Sequence, residues 1–207
     1  MHKAGFVNII GNPNVGKSTL LNEMVGERLS IITSKSQTTR HRIIGIMNGE
    51  NFQIVYSDTP GIIKPQYGLQ SKMMDFVGAA FTDADIILYV TDVVESPEKN
   101  SEYIEKLKVA GVPVMVIINK IDLSNPDKVN ALIEKWQQLV PKATVIAVSA
   151  LEKFNLVGIF DRVLELLPEN PPFYPKDEFT DRSERFVASE IIREKILNNY
   201  DKEIPYS

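Results

Sequence analysis

Short apolar runs alternate with longer amphipathic segments along most of the chain, and this alternation restricts the fold more than any other feature. A run that is apolar at nearly every position is typical of a strand covered on both faces of a parallel sheet. An apolar residue at every third or fourth position is typical of a helix packed against such a sheet. The sequence therefore predicts an α/β domain: a mostly parallel six-stranded sheet with helices on both faces. The predicted strands are residues 5–10, 42–47, 52–57, 85–91, 113–119 and 144–149, and the predicted helices are 17–25, 69–81, 98–110, 126–139 and 156–167.

Two features divide the chain further. The runs at 42–47 and 52–57 are separated only by "NGEN", which is typical of a hairpin turn and predicts one antiparallel edge strand. After residue 167 the segment "PENPPFYPKDEFTD" is rich in proline and cannot continue a helix. We therefore predict a domain at 1–167, a linker at 168–181, and a terminal segment at 182–207 that begins with an amphipathic helix capped by Ser183.

Composition excludes several classes of protein. The chain has no cysteine, which excludes disulfides, thiolate metal sites and a cysteine nucleophile. Its formal net charge is −4, so no overall basic field draws it to nucleic acid or to anionic lipid. Neither a secretory signal nor an apolar run long enough to span a membrane is visible, and we expect a cytoplasmic protein.

Residues 11–18, "GNPNVGKS", match GxxxxGK[ST] between a predicted strand and a predicted helix, the position of a phosphate-binding loop (P-loop). Backbone N–H groups of such a loop converge on phosphates, and the N-terminus of the next helix adds partial positive charge. Lys17 is expected to reach the terminal phosphates and Ser18 to bind Mg²⁺. The alternative is a glycine-rich turn that matches by chance. The candidate nucleotide-binding residues of this loop are Asn12, Asn14, Val15, Gly16, Lys17, Ser18 and Thr19.

Three further motifs follow in order at predicted strand ends, the edge where open α/β sheets bind ligands. In "DTPG", Asp58 is a candidate Mg²⁺ ligand and the N–H of Gly61 a candidate contact to the γ-phosphate. In "NKID", formed by Asn119, Lys120, Ile121 and Asp122, the carboxylate can accept from N1 and N2 of guanine, a donor pair that adenine lacks.

In the third motif, backbone N–H groups of Ser149, Ala150 and Leu151 are candidates to contact the guanine oxygen. Each motif alone is also compatible with a turn or a helix cap. Together with the P-loop they predict a protein that binds GTP or GDP.

With these motifs in this order, and with "SKSQTTRHRIIGI", the sequence resembles the Era family of translation-factor-class GTPases from Phe6 to its last residue. The resemblance implies a P-loop NTPase G domain that hydrolyses GTP and acts as a switch in assembly of the small ribosomal subunit, with 16S rRNA as a partner. It also implies that Thr39 is the switch threonine and joins Ser18 and Asp58 as a metal ligand. Thr38 is the alternative, and a polar loop without a ligand is another. Family resemblance also implies a peripheral membrane association.

Ile62 occupies the position where Ras-like enzymes place a glutamine that orients the attacking water. In the larger group to which Era belongs, a hydrophobic residue here accompanies a P-loop asparagine that helps to hold K⁺, and Asn14 matches that asparagine. The alternative is that Asn14 only tolerates an unusual backbone angle in a tight turn. The predicted catalytic residues are Lys17, Asn14, Thr39 and Gly61.

In Era proteins the linker leads to a KH domain, which clamps RNA with a GXXG loop. No GXXG follows Pro168 here, so the chain resembles an Era protein cut within its KH domain, and these residues alone are not expected to bind RNA specifically. Three alternatives stay open at this point. They are the isolated GTPase module of a tRNA-modifying or tandem-domain relative, an RNA scaffold that holds nucleotide without hydrolysing it, and a small-molecule kinase.

Overall fold

The computed structural model describes residues 1–33 and 38–200, and its centre is a six-stranded sheet in the order β2-β3-β1-β4-β5-β6. β2 pairs with β3 in antiparallel register, whereas the other pairings within the sheet are parallel. This topology confirms the predicted α/β fold with one antiparallel edge strand. The strands are β1 (Lys3–Gly11), β2 (Ile43–Asn48), β3 (Phe52–Asp58), β4 (Ile86–Asp92), β5 (Val114–Asn119) and β6 (Thr144–Ala147).

The helices follow the predicted segments closely, with one difference near residue 100. The predicted helix at 98–110 is divided into a 3₁₀ turn at Pro97–Asn100 and a shorter α-helix. Asn100 leaves the helical backbone region at φ −121°, and its side-chain amide donates to Asn12 and to the Tyr89 hydroxyl. These contacts to other elements outweigh local helix propensity. The helices are α1 (Lys17–Val25), α2 (Gly68–Thr82), α3 (Ser101–Lys108), α4 (Pro126–Leu139), α5 (Leu156–Leu166) and α6 (Glu184–Asn199).

The sheet is covered on both faces, so its central strands are apolar at nearly every position. In β4, Leu88 belongs to a core cluster with residues of α1 and α5, whereas its neighbour Ile87 belongs to a cluster with residues of α2, α3 and α4. Successive side chains of a strand point to opposite faces, which explains this division. The strands other than β2 run parallel to one another, so their carboxyl ends lie at the same edge of the sheet.

The segment that follows α5 lies along the antiparallel edge of the sheet. The N–H of Ile46 donates to the carbonyl of Phe179 at 2.8 Å, and the Thr180 hydroxyl donates to the carbonyl of Ile44 at 2.6 Å. The side-chain oxygen of Gln53 accepts from the N–H groups of Phe173 and Tyr174. The prolines exclude helix here, as predicted, but the predicted linker is attached to the domain and covers backbone groups of β2.

α6 packs back on the domain through charged side chains. Ser183 caps it by accepting from the N–H of Phe186, as predicted. Glu194 is 2% exposed and forms an ion pair with Arg28, which follows α1. Two apolar residues of this predicted amphipathic helix, Ile191 and Ile192, are 42% and 60% exposed. Residues 201–207 of the predicted terminal segment lie outside the described residues. Within the described chain, no helix combines the length and apolar character that crossing a membrane needs.

Candidate functional site

A cavity of about 380 Å³ opens where β1 runs into α1, at the carboxyl edge of the sheet. This is the edge where parallel α/β sheets bind ligands. Its lining combines the loop after β1 with segments that precede β2 and follow β3 and β5. The lining residues are Pro13, Asn14, Gly16, Lys17, Ser18, Thr19, Ile31, Ile32, Thr33, Thr38, Thr39, Gly61 and Lys120.

The loop after β1 is held closely against β5. The Asn119 side-chain amide donates to the carbonyl of Val15 at 2.9 Å. Gly16 has φ +95°, and a Cβ there would lie 2.2 Å from Nδ2 of Asn119. Only glycine combines this backbone conformation with this close approach. The DTPG motif also lies close to the P-loop, because a Cβ on Gly61 would lie 2.7 Å from Pro13.

Lys17 places a buried ammonium group inside this loop. Its side chain is 6% exposed and donates to the carbonyl of Asn12 at 2.8 Å. Burial lowers the pKa of Lys17 to about 8, although the carboxylates of Asp58 and Glu95 oppose the change. A poorly solvated cation beside a helix N-terminus is a strong attractor for an anion.

Asp58, at the end of β3, is fully buried among hydroxyl groups. Its Oδ2 accepts from the hydroxyls of Ser18 at 2.7 Å, Ser30 at 2.9 Å and Thr39 at 3.4 Å. Its Oδ1 is buried and has no hydrogen-bond partner within residues 1–33 and 38–200. Burial raises the pKa of Asp58, while Lys17 and the three hydroxyls lower it. The carboxylate is therefore desolvated, and a divalent cation would stabilise its charged form.

The NKID motif and the motif at Ser149, Ala150 and Leu151 meet where the chain leaves β5 and β6. Ser149 donates its hydroxyl to Oδ1 of Asp122 at 2.5 Å, and the N–H of Ala150 donates to Oδ1 of Asn119 at 2.9 Å. Lys120 donates to the carbonyl of Asn14 at 2.5 Å and so connects this end of the site to the P-loop. The P-loop, the candidate cation site at Asp58 and the exposed carboxylate of Asp122 therefore lie at the same edge of the sheet.

Comparison with known proteins agrees with this geometry. The family model described as "50S ribosome-binding GTPase" matches residues 6–120. The GTPase Era of Staphylococcus haemolyticus is 43% identical over 207 residues, which is 100% of this chain and 69% of that protein. The GTPase Era of Staphylococcus epidermidis is 42% identical with the same coverage. The chain belongs to the Era family of GTPases.

Solved Era structures have the same fold as this chain. A crystal structure of Era in complex with MgGDPNP and nucleotides 1506–1542 of 16S ribosomal RNA has a TM-score of 0.93 at 38% identity, covering 100% of this chain and 71% of that one. An Aquifex aeolicus Era variant bound to GDP and AlF₄⁻ has a TM-score of 0.92 at 38% identity, covering 99% and 70%. The Era fold therefore extends through the segment after α5 and includes α6.

Most residues that the sequence predicted for the site lie together in the structure. Of the two candidate switch threonines, Thr39 lies 3.1 Å from the Ser18 hydroxyl, whereas the Thr38 hydroxyl lies 2.6 Å from that of Thr33. Leu151 is 72% exposed, and the predicted base-recognition residues Asp122, Ser149, Ala150 and Leu151 are not among the residues that line the cavity. Ile62 is buried, and its N–H donates to the carbonyl of Gly11.

Sequence reasoning missed three polar residues that support this Era-family site. Ser30 binds Asp58, Asp92 binds Lys120, and Glu95 accepts from the side chain of Asn12. Asp92 could have been found from the sequence, since it ends an apolar strand at the same edge as Asp58 and Asn119. No sequence pattern marks Ser30, because its contact with Asp58 depends on the path of the chain after α1.

Proton uptake provides a test of the environment of Lys17. Bound phosphate favours the ammonium form and raises its pKa, so binding of GDP is expected to take up a proton at about pH 9 and much less at about pH 7. Affinity should fall as the pH rises through about 8, because the free protein loses this proton first. Calorimetry in two buffers of different ionisation enthalpy measures the uptake. Lys17→Met is the matched control, and an equal uptake in the variant would contradict the assignment to Lys17.

Proposed function

We propose that this Era-family GTPase binds GTP with Mg²⁺, hydrolyses it to GDP and phosphate, and acts as a switch in assembly of the small ribosomal subunit. The observations that carry the proposal are the buried Asp58 carboxylate, surrounded by three hydroxyls and Lys17, and the Asp122–Ser149 pair at the same end of the sheet. The environment of Asp58 fits a metal ion and a polyphosphate, and the Asp122–Ser149 pair fits the hydrogen-bonding edge of guanine. An Era structure that contains both MgGDPNP and a 16S rRNA fragment supports the ligand and the partner.

In this proposal, each part of the site has a separate role. N–H groups of the P-loop and the Lys17 ammonium bind the β- and γ-phosphates. Ser18, Asp58 and Thr39 would hold Mg²⁺, for which oxygen ligands are the preferred set, and the bound ion would neutralise charge on the transferred phosphoryl group. The N–H of Gly61 binds the γ-phosphate, and Asp122 with the N–H groups of Ser149, Ala150 and Leu151 selects guanine.

The switch role depends on a contact between α6 and the loop that carries Thr39. Arg193 of α6 donates to the carbonyl of Thr38 at 2.8 Å. This carbonyl belongs to the loop that holds Thr39 against Ser18 and Asp58, so opening of the loop after hydrolysis would move the carbonyl. We therefore place α6 as the element that relays nucleotide state to the RNA partner.

A cytoplasmic location follows from this partner, and a peripheral membrane association stays a prediction of family resemblance.

Nucleotide binding is tested by thermal melting with Mg²⁺ and GDP, GTP or ADP. A ligand at about 100 times its Kd stabilises the native state by about 2.7 kcal/mol. For a domain of this size, that raises the Tm by about 5–10 °C. Guanine nucleotides should produce this shift and ADP should not. Equal shifts with ADP would contradict guanine recognition.

Turnover distinguishes the GTPase from a scaffold that only holds nucleotide. Phosphate release from excess GTP, above the rate in buffer, is expected with Mg²⁺ and lost with a chelator. Hydrolysis limited to one nucleotide per protein would favour the scaffold.

The K⁺ role of Asn14 makes a separate prediction. Because Ile62 cannot orient water, we expect single-turnover hydrolysis to be at least about tenfold faster in K⁺ than in Na⁺, a difference of about 1.4 kcal/mol in the barrier. Asn14 has φ +64°, so Asn14→Gly removes the side chain without backbone strain and should abolish the difference. Equal rates in the two salts for the unmodified protein would exclude the K⁺ role.

A further inference from the structure

Asp92 lies next to Asn119, the first residue of the NKID motif, and is not among the residues that line the cavity. It ends β4 beside Asn119 of β5, and its side chain is 8% exposed. Its two oxygens have different partners. Oδ1 accepts from the N–H groups of Val94 and Glu95 at 3.0 and 2.9 Å, and Oδ2 lies 2.7 Å from the ammonium of Lys120. One carboxylate therefore closes a turn and holds a lysine.

The ammonium of Lys120 joins this carboxylate to the P-loop. It donates to Oδ2 of Asp92 and also to the carbonyl of Asn14. A lysine side chain loses rotamer entropy when it is fixed in one geometry. A charge-assisted hydrogen bond to a nearly buried carboxylate offsets that loss before any ligand arrives.

The turn closed by Asp92 contacts the same loop at a second point, Asn12, two residues before Asn14. Glu95 accepts from the side-chain amide of Asn12 and from Lys99, and the carbonyl of Asn12 accepts from Lys17. The turn thus contacts the P-loop at Asn12, and Lys120 contacts it at Asn14. Together these contacts connect Asp92 to the first half of the loop.

We propose that Asp92 is a positioning residue for nucleotide binding, which acts by holding Lys120 against the P-loop carbonyl of Asn14. This inference rests on the proposed function, since it concerns affinity for the same nucleotide. Charge alone predicts the opposite effect. A carboxylate near a polyphosphate site weakens binding by repulsion, so its neutralisation would tighten binding if Asp92 acted only through its charge.

Asp92→Asn separates the two effects. The amide keeps the size of the side chain and an oxygen that can accept from Val94 and Glu95, but it loses the ion pair with Lys120. We expect the Kd for GDP and for GTP and the KM for GTP to rise about tenfold, with kcat within about twofold, because a preorganised interaction is lost equally from substrate and transition state. Asp83→Asn is the matched control. It removes an ion pair with Arg42 away from the cavity and should leave the Kd unchanged.

A double-mutant cycle tests whether Asp92 acts through Lys120. In a Lys120→Met background, Asp92→Asn should have no further effect on the Kd. If Asp92→Asn does not fold, Asp92→Ser replaces it, because a hydroxyl can close the turn but is too short to reach Lys120. An unchanged or lower Kd in the single variant, or an equal loss in both backgrounds, would overturn the inference. If the unmodified protein does not bind GTP, the proposed function fails instead.

Discussion

Lys17→Met is expected to slow GTP hydrolysis by about 10²–10³-fold, the usual loss when one preorganised stabiliser of transition-state charge is removed. The Lys17 ammonium is buried in the P-loop, where it has few competing water contacts, so its interaction with developing charge on the phosphates is strong. Methionine keeps much of the volume of the stem and removes the charge. Single-turnover hydrolysis at saturating GTP measures the effect on the chemical step separately from binding.

The control for this prediction is Lys142→Met, which removes an equivalent charge from an exposed position after α4. That variant should hydrolyse GTP at the unmodified rate. Melting of nucleotide-free Lys17→Met reports any change in stability from leaving Asp58 without its neighbouring cation. A loss smaller than tenfold in a folded Lys17→Met would contradict the assigned role.

Asp122→Asn is expected to weaken GTP binding by about 10³-fold. The carboxylate at this position can accept from two N–H groups of guanine, and hydrogen bonds to a charged group contribute about 1.5–3 kcal/mol each. Asparagine offers one neutral acceptor and introduces an N–H donor that faces the guanine N–H groups. Xanthine has a carbonyl in place of the guanine amino group, so xanthosine triphosphate should bind the variant more tightly than GTP.

The control for base recognition is Asp127→Asn, an exposed carboxylate in the first turn of α4. It should leave the Kd for GTP unchanged. Competition with GTP, xanthosine triphosphate and ATP measures all three affinities in one format. An Asp122→Asn variant that keeps its preference for GTP over xanthosine triphosphate would exclude Asp122 as the guanine acceptor.

Strand and helix positions could be predicted because they depend on local periodicity. The strands covered on both faces, such as β4 and β5, have a continuous apolar pattern that is typical of a buried parallel sheet. The prediction was wrong in detail around residue 100, where Asn100 contacts Asn12 and Tyr89 instead of continuing a helix. The linker was predicted as irregular, but its attachment along β2 was not.

The site shows the same division between local and long-range information. Short motifs contain Lys17, Asp58 and Asp122, and in each motif the residue type indicates its chemical role. Each of the three residues can therefore be identified from the sequence alone. Thr38 and Thr39 could not be separated by sequence, because adjacent residues in a polar loop carry the same pattern. The structure distinguishes them by distance, since the Thr39 hydroxyl approaches Ser18 and Asp58.

The sequence alone predicts the α/β fold, the order of strands and helices along the chain, and the P-loop with its guanine-recognition motifs. These depend on apolar spacing, on glycine and on short polar motifs, which are properties of neighbouring residues. The contacts of Ser30 with Asp58, of Asp92 with Lys120 and of Glu194 with Arg28 span 28, 28 and 166 residues, and they are seen only in the folded chain. Such contacts arise from the packing of distant segments against one another, and no local pattern encodes which polar side chains that packing brings within hydrogen-bond distance.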